Sequence, residues 1–214
     1  MPGTDAPARR PGPARALDPA SERRVLLDAA ASVLTVRAMD DWTLDEVLAE
    51  AGLGTRSFYR HFASKEALLA AVMVEHADAA GRRLQRLVDA EPVALRALTL
   101  WLDSVLDFTR DGQRASKTRE FLRSCITRDR AGWEEAQHRL VTSFTRPLAS
   151  VISRGREDGS FPSADLDRDV PMIFTLAFGV VTDMGAWVKA NDEGFVRASV
   201  LRYILPALGA HELD

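Results

Sequence analysis

The chain has 214 residues, a formal net charge of −3 and 46% apolar residues, which bounds it to one domain or two sharing a core. A single cysteine excludes an intrachain disulfide, and the four histidines (61, 76, 138 and 211) lack zinc-binding spacing, so no metal and no cofactor is expected. The longest uncharged run, Val170 to Thr182, is 13 residues where a bilayer needs about 20, and the N-terminus lacks a secretory core, so a cytoplasmic chain without membrane contact is expected.

Alanine (32 residues) and arginine (25 of the 28 basic residues) dominate, and both favour helix. Sustained two-residue alternation is absent, so the fold class expected is all-α. Residues 1–20 carry five prolines with Arg9, Arg10 and Arg15, the composition of a disordered basic arm. Ser21 then caps a first helix over about 21–37. Met39 to Trp42 reads as a largely polar break. Thr43 and Glu46 form a capping box that opens a short second helix. Ala51-Gly52-Leu53-Gly54 is a tight turn, followed by a third helix over about 55–61. Ser64 caps a fourth helix from Lys65 to about Asp89.

A fifth helix is expected from Pro92 to near Gly112, and a shorter one over about 114–127. A long helix over about 131–155 contains Pro147, which should kink it. An apolar helix then runs from Asp167 to about Ala190, and a last one over about 195–208. The reading totals nine helices.

The stretch Thr43 to Lys65 carries the functional signal. Two short helices joined by a glycine turn form a helix-turn-helix, whose second helix lies in the DNA major groove. The overall acidity argues at first against nucleic acid, but its distribution reverses the argument. Residues 1–65 hold nine basic and nine acidic side chains, so the remainder holds the whole excess. Between Ala51 and Lys65 there is no acid at all, and Arg56, Arg60 and Lys65 are interleaved with Thr55, Ser57 and Tyr59. Local charge, not net charge, steers a protein onto DNA.

At residues 21–74 the chain resembles the TetR-type transcriptional regulators. The resemblance rests on Leu27-x-Ala29-Ala30, Thr43-Leu44, Ala51-Gly52-Leu53, Phe58-Tyr59-Arg60-His61-Phe62 and Ser64-Lys65-Glu66. Ala38, Gly54 and Arg56 depart from the family's usual residues. The resemblance implies a homodimer whose N-terminal helices bind a pseudo-palindromic operator. It also implies a helical C-terminal domain with an inducer cavity, a dimer interface from the last two long helices, and a linking role for the fourth. The implied division is an arm at 1–20, a DNA-binding domain at 21–65, and a ligand-binding and dimerisation domain at 66–214.

Thr43 caps the second helix and is also placed to touch phosphate. Arg56 is the candidate for a bidentate guanine contact, with a phosphate contact or a solvated side chain as its other reading. Thr55 and Ser57 are groove or capping residues. Tyr59, Arg60 and His61 are read with the phosphate set, His61 having a packed imidazole as its alternative; Lys65 is read as a phosphate clamp. Arg9, Arg10 and Arg15 form a minor-groove arm or a solvated tail.

For the ligand, Trp101, Phe121, Cys125, Trp133, Gln137, Phe174, Phe178 and Met184 are the candidates, and a mainly hydrophobic small molecule is expected. The homodimer is expected through residues about 170–208, with Ala177 and Gly179 allowing close approach. No nucleophile–base spacing, phosphate loop or metal cluster supports an enzyme. A ligand-responsive regulator, a repressor in the expected reading, stands against an all-α enzyme and a helical interaction module.

Overall fold

The computed structural model describes residues 18–37, 41–107 and 133–210. The expectations for Arg9, Arg10 and Arg15, for Ala38, and for the helix over 114–127 with Phe121 and Cys125 lie outside the described residues. Among those described there are nine α-helices and no strand: α1 Pro19–Val36, α2 Leu44–Ala51, α3 Thr55–His61, α4 Lys65–Ala90, α5 Ala94–Leu106, α6 Glu134–Glu157, α7 Leu166–Asp183, α8 Gly185–Ala190 and α9 Glu193–Leu208.

The helix starts follow side-chain chemistry. Ser21 was expected to cap α1, but Asp18 does so. Its Oδ1 accepts the N–H groups of Ala20 at 3.0 Å and Ser21 at 3.1 Å, and Pro19 opens the helix. A carboxylate there also meets the positive end of the helix dipole, and proline loses nothing in the first turn. Residues 19 and 20, expected in the arm, are therefore helical. The Thr43–Glu46 capping box forms in both directions, and Gly52 ends α2 at φ 62°, a left-handed conformation that glycine adopts without Cβ strain. The helix expected from Pro92 begins at Ala94, where a Glu91 carboxylate accepts the Val93 N–H.

The first three helices stack through Leu26, Ala30, Trp42, Val47, Phe58 and Phe62 onto the N-terminal part of α4. The rest of α4 crosses α6, and α5 and α7 close the body around it. At that crossing Gly81 lies so close to Ser143 that a Cβ on it would stand 2.7 Å from the Ser143 carbonyl oxygen. Only a residue without a Cβ fits there. On the other side of the crossing, Pro147 lacks the N–H that would bond the Ser143 carbonyl four residues back. The helix α6 runs unbroken through Pro147.

The apolar helix expected over 167–190 is two helices. Met184 leaves helical geometry at φ −101° and ψ 24°, directly before Gly185, the residue type next to proline in its reluctance to stay helical. Ala177 is fully buried inside the subunit, so it does not face a second copy. On the outside of α7 and α9, Met172, Leu176, Phe195 and Tyr203 are exposed, Tyr203 by 74%. Among the described residues no helix is long and apolar enough to cross a membrane, and no cluster of metal-ligating side chains occurs.

Candidate nucleic-acid interface and interior cluster

Helix α3 has two faces. Phe58 is fully buried, and its ring meets Tyr59 edge-on at 5.1 Å and Phe62 at 5.9 Å. This apolar side fixes the helix on the core. The opposite side presents Thr55, Arg56, Tyr59 and Arg60 to solvent, with Ser57 half-buried. Tyr59 is 61% exposed although it is an aromatic residue. The Arg56 guanidinium has no hydrogen-bond or ion-pair partner among the described residues. A surface with two guanidiniums, three hydroxyls and no acid has the donors that phosphates and base edges accept.

Two further interactions hold this helix. Glu22, on α1, is only 8% exposed. One of its oxygens accepts Arg60 Nη1 at 2.8 Å and meets His61 Nε2 at 3.0 Å. The His61 side chain is 9% exposed, so its imidazole is packed inward against α1, whereas that of Arg60 remains half exposed. Thr43 is also engaged. Its hydroxyl accepts the Glu46 N–H at 3.2 Å, and its own N–H donates to Glu46 Oε2 at 2.8 Å. That N–H, with the guanidinium of Arg37 at 2.5 Å and the Thr43 hydroxyl, holds the Glu46 carboxyl below its ordinary value. Lys65 opens α4, its Nζ donating to the Trp42 carbonyl.

The sequence reading thus named the exposed side of α3 and missed two of its supports. One is Glu22, which no motif singles out. Trp42 was read as part of a polar break, yet it is 1% exposed. A signal for Trp42 was present: an apolar residue just before an N-cap with another at the fourth helical position, here Val47, is a hydrophobic staple. Nothing in the spacing pointed to Glu22.

Inside the body the structure brings three of the expected ligand residues together. Trp101 is fully buried on α5, and its Nε1 donates to the Phe144 carbonyl at 3.0 Å. Phe178 meets the Phe144 ring edge-on at 5.2 Å and Phe174 at 4.4 Å. Trp133, buried, and Gln137, half-buried, lie at the start of α6. Met184 is not brought to this cluster; it is 44% exposed at the break between α7 and α8. His138 and Thr142, further along α6, are exposed.

Residues 26–72 match the model of the bacterial regulatory proteins of the tetR family. That span begins in α1, contains all of α2 and α3 and enters α4. Among solved structures, the fold is similar to that of FadR from Bacillus subtilis in complex with stearoyl-CoA. The TM-score is 0.63 and the identity 16%, covering 86% of this chain and 98% of that one. It is also similar to RolR in complex with resorcinol, with TM-score 0.61, identity 20%, and coverage of 87% and 88%. An uncharacterized HTH-type transcriptional regulator of Haemophilus influenzae is 37% identical over 202 residues, spanning 92% of this chain and 93% of the relative. A likeness that extends through the helical body as well as the helix-turn-helix places the whole chain, and the protein belongs to the tetR family of transcriptional regulators.

Proposed function

We propose that the protein is a ligand-responsive repressor that binds a pseudo-palindromic operator as a homodimer in the cytoplasm. In this reading residues from about 18–21 to 65 form the DNA reader, and residues 66–214 form the sensor and dimer body. The observation that carries it is the division of α3 into a buried aromatic side and an exposed side of Thr55, Arg56, Tyr59 and Arg60 without an acid. Arg56 reads a base edge, while Tyr59, Arg60, Lys65 and the Thr43 corner meet phosphates. The inward imidazole of His61 supports a positioning role for that residue.

The exposed apolar residues Met172, Leu176, Phe195 and Tyr203 support a dimer through α7 and α9, since so many on adjacent helices need a cover. The aromatic cluster of Trp101, Phe174 and Phe178 supports a mainly hydrophobic ligand, which binds without turnover. Two solved structures of similar fold hold stearoyl-CoA and resorcinol, the one with a long acyl chain and the other with an aromatic ring beside their polar groups.

The test begins with a duplex selected by the protein from a random-sequence pool. With Arg60 and Lys65 each meeting a phosphate on both half-sites, log affinity against log salt should slope at about −3 to −4. Arg56→Ala should relax base preference without changing that slope by as much as Lys65→Met does. Unchanged binding in both variants would sink the DNA-reading proposal and favour a helical interaction module. A solution mass of one 23.5 kDa chain at micromolar concentration would reject the dimer.

A further inference from the structure

The contact between Lys65 and Trp42 is more than a neighbouring pair. Lys65 is the first residue of α4, where the dipole of the helix repels a cation. A lysine in that position would ordinarily extend into water. Here its Nζ donates to the Trp42 carbonyl and lies 4.2 Å from the centre of the Trp42 ring. Both are contacts an ammonium makes, a carbonyl accepting its N–H and a ring face attracting its charge.

The tryptophan is placed for this contact at a cost to itself. Its ring is buried, yet Nε1 has no hydrogen-bond partner among the described residues. A buried indole N–H normally finds an acceptor. The ring thus offers its face to Lys65 while no described residue accepts its own N–H. Trp42 also stands immediately before Thr43, the cap of α2. The contact thus joins the starts of α2 and α4.

We propose that Trp42 is a positioning residue for DNA, its carbonyl and ring face holding the Lys65 ammonium where it meets a backbone phosphate. The inference rests on the DNA-reading function proposed above. An ammonium has three N–H donors; one is used by the carbonyl and two remain for a further acceptor. A lysine already fixed loses less freedom when the phosphate arrives.

The test uses the full-length protein and the duplex selected by the unaltered protein. Lys65→Met should flatten the slope of log affinity against log salt by about 1.8 for two half-sites, at about 0.9 per phosphate. Trp42→Leu removes no charge, yet it should flatten the same slope in the same direction and weaken binding about tenfold. The double variant should bind no more than about twofold worse than Lys65→Met, because both changes remove one contact. Trp42→Phe, with a smaller ring face, should fall between. A merely structural loss lowers the active fraction equally at every salt concentration and leaves the slope alone, and Trp42→Phe decides the matter if Trp42→Leu does not fold. Folded tryptophan variants with the slope of the unaltered protein overturn the inference while leaving the DNA-reading function intact. Absence of salt-dependent binding in the unaltered protein overturns that function and the inference together.

Discussion

Replacing Glu22 should loosen the recognition helix, and the structure sets how much. One oxygen of its carboxylate serves two partners that differ in exposure. The side chains of His61 and Glu22 are 9% and 10% exposed, so their contact is largely shielded from water. Hydrogen bonds to a charged group in such surroundings contribute about 1.5–3 kcal/mol. Arg60 is 49% exposed, so solvent screening reduces its pairing with Glu22 to about 0.2–1 kcal/mol. Removing the carboxylate also relieves its own burial cost, which offsets part of the sum. Glu22→Ala should therefore destabilise the protein by about 2 kcal/mol. For a chain of this size that corresponds to a melting shift of roughly 4–8 °C, measured at fixed protomer concentration because the proposed dimer couples stability to concentration. Double-mutant cycles separate the partners. The Glu22–His61 coupling should exceed the Glu22–Arg60 coupling, at about 1.5 kcal/mol or more against less than about 1 kcal/mol. A loss below about 0.5 kcal/mol in Glu22→Ala, or the reverse order of couplings, would refute the reasoning.

Other parts of the molecule yield further expectations. Gly81→Ala puts a Cβ 2.7 Å from the Ser143 oxygen and 2.9 Å from the Ser143 Cβ. The gain of about 1 kcal/mol in helix propensity should be outweighed by an overpacking cost of about 1–3 kcal/mol, because a helix backbone cannot rotate away. Urea denaturation should show a net loss, and a variant more stable than the parent would contradict the close crossing. Thr43→Ala removes the cap of α2 and half of its capping box, and should cost about 1 kcal/mol in the same assay; a neutral effect would mean that the cap is dispensable. Asp169 gives a pH dependence. Burial raises its pKa, but the Arg168 guanidinium at 2.8 and 3.1 Å and the Asp165 N–H at 2.8 Å together bring it below the ordinary 3.8. A carboxylate so depressed contributes stability above the unfolded-state value, and that contribution is lost as pH falls through the folded one. The melting difference between the parent and Asp169→Asn should therefore narrow on going from roughly pH 6 to pH 3. A difference constant over that range would show that the carboxylate charge is not what stabilises the turn into α7.

Much of this architecture was legible in one dimension. The capping box at Thr43 and Glu46, the glycine at the end of α2 and the Ser64 cap of α4 are local. The caps rest on a side chain reaching a backbone group within three residues, and the glycine on its freedom at positive φ, so spacing reveals them. The apolar side of α3 was legible for the same reason, since Phe58 and Phe62 recur at helical period. The start of α1 was misplaced because Asp18 and Ser21 are both good caps, and composition could not show that Pro19 would enter the helix. The break at Met184 was missed because an apolar run hides a single departure from helical geometry.

The sequence by itself determined the helices, the helix-turn-helix and the charge of its exposed side, because those depend on neighbours along the chain. It also placed Arg56, Tyr59 and Arg60 on one surface, which follows from helical period once Phe58 is known to face inward. Only the tertiary structure decided what holds that surface in place. Glu22 and His61 are 39 residues apart, and Trp42 and Lys65 are 23 apart. Which side chains meet across such separations depends on how helices cross, and on which polar groups are left to satisfy once they have. That is a property of packing, which no spacing along the chain records.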